Sequence, residues 1–212
     1  MNVKSSCFSF TVCFSLVALA GCAANSETET LGMEASGVSV SSDRVSSDFP
    51  HCVVAAVPVR PGEEVSPSIA PPAAKCFHTY AEATSFATKG RVNLPKNATM
   101  KEVDDAVADD TTRNLGIQSI VIAREYANAN YSLPSLAVTA DAGCQNQDWV
   151  FASMPSGWND VISSALIYGG VGCFHGWHYE TNNFGGANLD VGAGVGDFTY
   201  MNDRTSSIRW TR

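Results

Sequence analysis

Asn159-Asp160-Val161-Ile162-Ser163-Ser164 and Asn202-Asp203-Arg204-Thr205-Ser206-Ser207 decide how this chain is read. Both follow the pattern Asn-Asp-x-x-Ser-Ser. Each packs a carboxylate, an amide oxygen, hydroxyls and several backbone carbonyls into one short loop. Those are hard oxygen donors, the kind Ca²⁺ gathers at six to eight positions. Neither stretch contains the thiol or imidazole that would favour zinc or copper. A single copy would be an ordinary turn, because Asn, Asp and Ser bond nearby backbone groups. A second copy makes it an internal repeat, and internal repeats outrank other signals.

Each loop is preceded by a similar aromatic segment. Tyr179-Glu180-Thr181-Asn182-Asn183-Phe184-Gly185-Gly186 stands before the second, and Tyr126-Ala127-Asn128-Ala129-Asn130-Tyr131-Ser132-Leu133 before the first. The two aromatics recur at the same spacing, but Leu133 stands where the other copy has Gly186.

The order of aromatic hairpin, extended segment and Asn-Asp-x-x-Ser-Ser loop, repeated over residues 119–212, resembles the microbial βγ-crystallins. That resemblance implies an all-β sandwich made of two Greek keys. It also implies two Ca²⁺ sites, each between the loop of one motif and the hairpin of the other. One would use Asn159, Asp160 and Ser163 with the hairpin around Glu180. The other would use Asn202, Asp203 and Ser206 with the hairpin around Ala127. Ala127 offers a backbone carbonyl alone, whereas Glu180 adds a carboxylate, so the two sites are expected to differ in affinity.

The chain has 212 residues and a formal net charge of −8. That charge disfavours nucleic acid, whose phosphates need a basic face. Lys4 followed by an apolar run from Cys7 to Ala20 reads as an export signal over 1–21, too short for a comfortable membrane span. The run ends Leu19-Ala20-Gly21-Cys22, resembling a bacterial lipoprotein box in which Cys22 carries lipid and anchors the protein to the cell envelope. Without use of that box, the protein would be secreted. Cys52, Cys76, Cys144 and Cys173 then remain, an even number suited to two disulfides in an oxidising compartment. Of their three pairings, sequence proximity favours Cys52–Cys76 and Cys144–Cys173.

Residues 22–50, rich in Ser, Glu, Thr and Gly, read as a flexible tether. Residues 51–118 read as an irregular region with a short apolar run at Val53–Val59, several prolines and two short helices. Thr79-Tyr80-Ala81-Glu82 and Thr99-Met100-Lys101-Glu102 are capping boxes for those helices. The first is expected to reach about Thr88, the second about Ala108, with Asp104, Asp105, Asp109 and Asp110 on its solvated side. Whether this region is a domain or drapes over the β-domain stays open. In the β-domain, strands are expected at 118–123, 136–139, 149–151, 165–168, 173–179 and 208–210. Gly192 to Gly196 reads as a connection. His175 and His178 fall on opposite faces of a strand and are not expected to share an ion. Trp149, Trp158, Trp177 and Trp210 are expected in the core.

These readings favour a Ca²⁺-binding surface module in which each ion stabilises the fold by mass action. The alternative is a protease inhibitor on the same fold, a role the resemblance allows. Enzyme signatures such as G-x-S-x-G and H-E-x-x-H are missing from the sequence, so no catalysis is expected. A glycan partner would suit any tryptophan left on the surface.

Overall fold

A computed structural model describes residues 38–39, 48–67, 69–70, 72–113 and 119–212; the expected export signal and Cys22 lie outside these residues. In chain order the strands are β1 (Val38–Ser39), β2 (His51–Ala55), β3 (Val57–Val59), β4 (Lys75–Phe77), β5 (Ile120–Asn128), β6 (Ser132–Ala140), β7 (Asp148–Phe151), β8 (Ser164–Ile167), β9 (His175–Thr181), β10 (Gly185–Val191), β11 (Gly194–Val195) and β12 (Ser207–Thr211). Helices α1 (Tyr80–Ala87) and α2 (Met100–Arg113) fall between β4 and β5. These elements belong to one compact unit, Ala35–Arg212.

Among the described residues two sheets form, in the orders β1-β4-β2-β6-β5-β8-β11 and β10-β9-β12-β7-β3. Each of the two motifs is a Greek key. In the first, β5 and β6 form a hairpin, β7 crosses to the other sheet, and β8 returns beside β5. In the second, β9 and β10 form a hairpin, β11 crosses over, and β12 returns beside β9. Each motif thus lends its third strand to its partner's sheet: β7 pairs with β12, and β11 with β8. A fourth strand lying beside the first is the defining feature of the Greek key.

The segment before this sandwich extends both of its sheets. The apolar run at Val53–Val59 splits at Ala56, whose N–H donates to the Thr139 carbonyl at 2.8 Å. On one side of the split, β2 runs parallel to β6; on the other, β3 runs antiparallel to β7. Val38–Ser39, inside the expected tether, pairs with β4. Both disulfides adopt the pairing that proximity favours, Cys52–Cys76 and Cys144–Cys173. The first joins directly opposed residues of β2 and β4. Such bonds fit an oxidising, exported setting.

Thr79 caps α1 by accepting the Glu82 N–H at 3.2 Å. The Thr99 box is reciprocal: the Thr99 N–H donates to Glu102 Oε2 at 2.8 Å, and the Glu102 N–H to Thr99 Oγ1 at 3.3 Å. α2 runs past the expected end near Ala108 to Arg113, where an Asp109–Arg113 pair at 2.8 Å spans its last turn. Both helices lie on the outer face of the larger sheet, over Val53, Val121 and Ala137. Ile120 and Ile122 point the other way, into the sandwich. Burial on both faces explains the unbroken apolar run at the start of β5, since neither face needs a polar residue.

Covering that face changes the role expected for α2's acidic side. Asp105 and Asp109 are solvated, but Asp110 is buried and pairs with Arg91. Asp104 accepts the hydroxyls of Tyr80 at 3.0 Å and Tyr168 at 2.7 Å, beside the fully buried Arg124. A helix packed on a sheet turns part of its polar face inward, and the charges there survive by being paired.

Trp149, Trp158 and Trp210 are buried in the core, as expected, but Trp177 faces outward and is only partly buried. The expected connection at 192–196 contains β11. An added Cβ on Gly194 would sit 3.3 Å from the Ala165 carbonyl oxygen, so the glycine lets this short strand close on β8. No helix among the described residues is long and apolar enough to cross a membrane.

Candidate cation pockets

The two hairpins are built alike. Tyr126 and Tyr131 meet edge to face at 5.6 Å, as do Tyr179 and Phe184. Asn130 and Tyr131 have positive φ, and so do their counterparts Asn183 and Phe184. Leu133 does not share the +75° φ of Gly186, so the hairpins diverge only beyond the second aromatic. Each hairpin is then tied across the sandwich: the Asn130 N–H donates to the Gly196 carbonyl, and the Asn183 N–H to the Ala152 carbonyl.

The second serine of each loop latches its own hairpin. Ser164 Oγ donates to the Asn128 carbonyl at 2.7 Å and accepts the Tyr131 N–H at 3.0 Å. Ser207 Oγ donates to the Thr181 carbonyl at 2.7 Å and accepts the Phe184 N–H at 3.0 Å. Their identical place in the two repeats marks these serines, but only the fold shows that they act as latches rather than as oxygen donors to the pocket.

The first serine reaches further. Ser163 Oγ lies 2.9 Å from both the Ala127 carbonyl and Asp203 Oδ1. Ser206 Oγ lies 3.0 Å from Asp160 Oδ1. Asp203 thus joins the Ala127 hairpin, but its serine is Ser163 rather than Ser206, and Asp160 takes Ser206 rather than Ser163. Strand pairing forces the exchange. Ser163 leads into β8, which pairs with its own motif's β5, and the Ser163 N–H donates to the Tyr126 carbonyl at 2.9 Å. Ser206 leads into β12 in the same way, on the Tyr179 carbonyl. Only the Asn-Asp half of each loop crosses over: the Asp160 N–H donates to the Thr205 carbonyl, and the Asp203 N–H to that of Ile162. Asp160 and Asp203 both have a φ of +53°, a conformation Asn and Asp tolerate better than most residues. Each accepts its preceding asparagine's amide on the other carboxylate oxygen, Asn159 at 2.8 Å and Asn202 at 3.1 Å.

The first pocket therefore gathers three oxygens, Ala127 O, Ser163 Oγ and Asp203 Oδ1, around a single hydroxyl proton. That proton can serve one acceptor at a time. A divalent cation would satisfy all three oxygens together. In the second pocket Asp160 and Ser206 meet, and the Glu180 carbonyl is the counterpart of Ala127's. The Glu180 carboxylate is already engaged, by Arg204 and by the Ala187 N–H at 3.1 Å. The Arg204 hydrogen bond, and after it the Ala187 N–H, hold that carboxyl below its ordinary range. The Glu180 carboxylate thus lies on Arg204 and the Ala187 N–H, while the first hairpin has no carboxylate at the matching residue, Ala127. Among the described residues no three His, Cys, Asp or Glu side chains gather at one point; one carboxylate meets each pocket's serine, Asp203 at Ser163 and Asp160 at Ser206.

Two buried polar clusters lie elsewhere. Glu125 and His178 are wholly buried and joined at 2.9 Å, one from each sheet. His175 and His178 face opposite ways, as expected; His175 pairs with Asp190 at 2.8 Å. A cleft of about 300 Å³ lies between α2 and the 166–170 segment, with Asp104 and Tyr168 in its wall.

The chain matches no protein-family model and no curated protein sequence. It is similar to solved βγ-crystallin domains. One from an archaeon is 20% identical, covering 42% of this chain and 96% of that one, with a TM-score of 0.33. A domain from Flavobacterium johnsoniae is 27% identical, covering 42% and 92%, with a TM-score of 0.31. A variant domain from Clostridium beijerinckii is 17% identical, covering 43% and 99%, with a TM-score of 0.33. The Greek-key assignment rests on the strand pairings themselves.

Proposed function

We propose that this protein is an exported, lipid-anchored envelope module that binds Ca²⁺ in two pockets, the ions fastening its two motifs to each other. The observation that carries this reading is the Ala127–Ser163–Asp203 cluster, three oxygen acceptors drawn from both motifs and sharing one proton. Ala127, Ser163, Asn202 and Asp203 hold one ion, and Glu180 through its carbonyl, Ser206, Asn159 and Asp160 hold the other. With one carboxylate per pocket, affinity falls in the range of extracellular modules, a Kd of about 10⁻⁴–10⁻³ M. Cys22 supplies the lipid anchor, and the two disulfides support an oxidising destination.

Because each pocket needs both motifs, the ions bind the folded chain alone and stabilise it by mass action. At ten times Kd each would add about 1.4 kcal/mol. Thermal unfolding of the full chain in Ca²⁺ and in chelator tests this. A melting temperature several degrees higher in Ca²⁺ is expected; equal melting temperatures would refute the reading.

A further inference from the structure

The two motifs treat their outer sheet faces differently. Counting back from the equivalent hairpin tyrosines Tyr126 and Tyr179, Arg124 in β5 corresponds to Trp177 in β9. Arg124 lies under the helices, its guanidinium 4.0 Å from the centre of the Tyr80 ring. No described element covers Trp177. It stands in a row across the smaller sheet, with Asp190 of β10 opposite on one side and Arg209 of β12 on the other. His175, two residues along the same face, presents a ring tilted only 24° from that of Trp177, with centroids 6.1 Å apart. Tyr179 continues the line.

Ionic groups held in fixed positions flank this aromatic strip. Arg209 donates through Nε and Nη2 to Asp148 Oδ2 at 2.9 and 2.7 Å, leaving Nη1 outside the pair. Asp190 Oδ2 is held by His175 Nδ1 at 2.8 Å.

We propose that this face binds a neutral pyranose oligosaccharide, stacked on Trp177 beside His175, with its hydroxyls reaching the Asp190–His175 pair on one flank and the Arg209 guanidinium on the other. A pyranose ring with equatorial substituents has a flat C–H face and a rim of hydroxyls that both donate and accept. Aromatic side chains meet the first requirement, and a carboxylate on one flank with a guanidinium on the other meets the second. A protein partner fits less well. A stable interface needs about 800 Å² from each side with an apolar centre depleted of charge, and here charged residues border the strip along both flanks. None of these residues belongs to the Asn-Asp loops, so the proposal stands apart from the cation pockets.

The test is titration of the full chain with cellotetraose and with tetra-N-acetylchitotetraose, read by calorimetry and by tryptophan fluorescence. Three of the four tryptophans are buried, so Trp177 dominates any ligand-induced change. At least one of the two sugars is expected to bind, with Trp177→Ala weakening it tenfold or more and Trp177→Phe threefold or less. Trp177→Ala is expected to leave the thermal unfolding midpoint within a degree, which shows the loss is not misfolding. Binding of neither sugar, or binding that Trp177→Ala leaves unchanged, overturns the proposal. So does a dimer in sedimentation equilibrium that Trp177→Ala abolishes, because the face would then belong to a second copy.

Discussion

Glu125 and His178 occupy equivalent positions in the two motifs and meet at 2.9 Å in the interior of the sandwich. Each stands one residue before its hairpin tyrosine, so the pairing of the motifs brings them together. The second imidazole nitrogen, Nδ1, donates to the Gly176 carbonyl at 3.0 Å. Glu125→Ala strands a buried imidazole. Removing one member of such a pair costs about 3–5 kcal/mol, whereas replacing both with apolar residues is often nearly neutral. Urea unfolding should show Glu125→Ala as the more damaging change and Glu125→Leu combined with His178→Leu as the milder one. Equal losses would mean that packing, not pairing, sets the cost.

The hairpin latches predict a second effect. Ser207→Ala removes a hydroxyl that both donates to Thr181 and accepts from Phe184, leaving two backbone groups without that partner. The expected loss is about 2–4 kcal/mol. Ser164→Ala should cost a similar amount, since its bonds have the same lengths. Urea midpoints of the two variants check the symmetry directly.

Arg204 restrains the second pocket by holding the Glu180 carboxylate. Arg204→Ala frees that carboxylate beside the pocket. One of the two Ca²⁺ equivalents should tighten by up to about tenfold, the scale of one added oxygen ligand of charge −1 in a solvated site. Calorimetry that finds both affinities unchanged would place the Glu180 carboxylate out of reach of the ion.

His51 gives stability a dependence on pH. Burial, and after it the charge of Arg124, lowers its pKa from 6.5 to about 4. The unfolded chain therefore takes up a proton as pH falls below about 6.5, while the folded chain resists until about 4. Stability from this group is complete above that window and declines through it, by about 3 kcal/mol in all at 1.36 kcal/mol per unit. His51→Gln should flatten the curve between those limits relative to the parent. An unchanged slope would assign the acid sensitivity to other groups.

How much of this was legible in the residues depends on where their partners lie. The two loops announced themselves because Asn-Asp-x-x-Ser-Ser is a local pattern repeated intact. The strands at 120–123 and 149–151 showed as apolar runs because both sit in buried parts of their sheets. β10 gave no such signal: it is an edge of its sheet among the described residues, buried only at Val191, and reads Gly-Gly-Ala-Asn-Leu-Asp-Val. The split of Val53–Val59 between two sheets was invisible, since an apolar run fits either. The exchange of Ser163 and Ser206 was hidden because strand register, not spacing, decides which serine meets which aspartate. Glu125 and His178 are 53 residues apart and carry no local pattern. Comparing polar residues at equivalent places in the two repeats would have found them.

Calcium titration of paired variants tests the crossed pockets most directly. In calorimetry the full parent chain should bind two equivalents. Ser163→Ala combined with Asp203→Ala should lose one equivalent, because both residues serve the same pocket. Ser163→Ala combined with Asp160→Ala should lose both. A parent that binds no Ca²⁺, or a Ser163→Ala, Asp160→Ala variant that still binds one equivalent, would contradict the account.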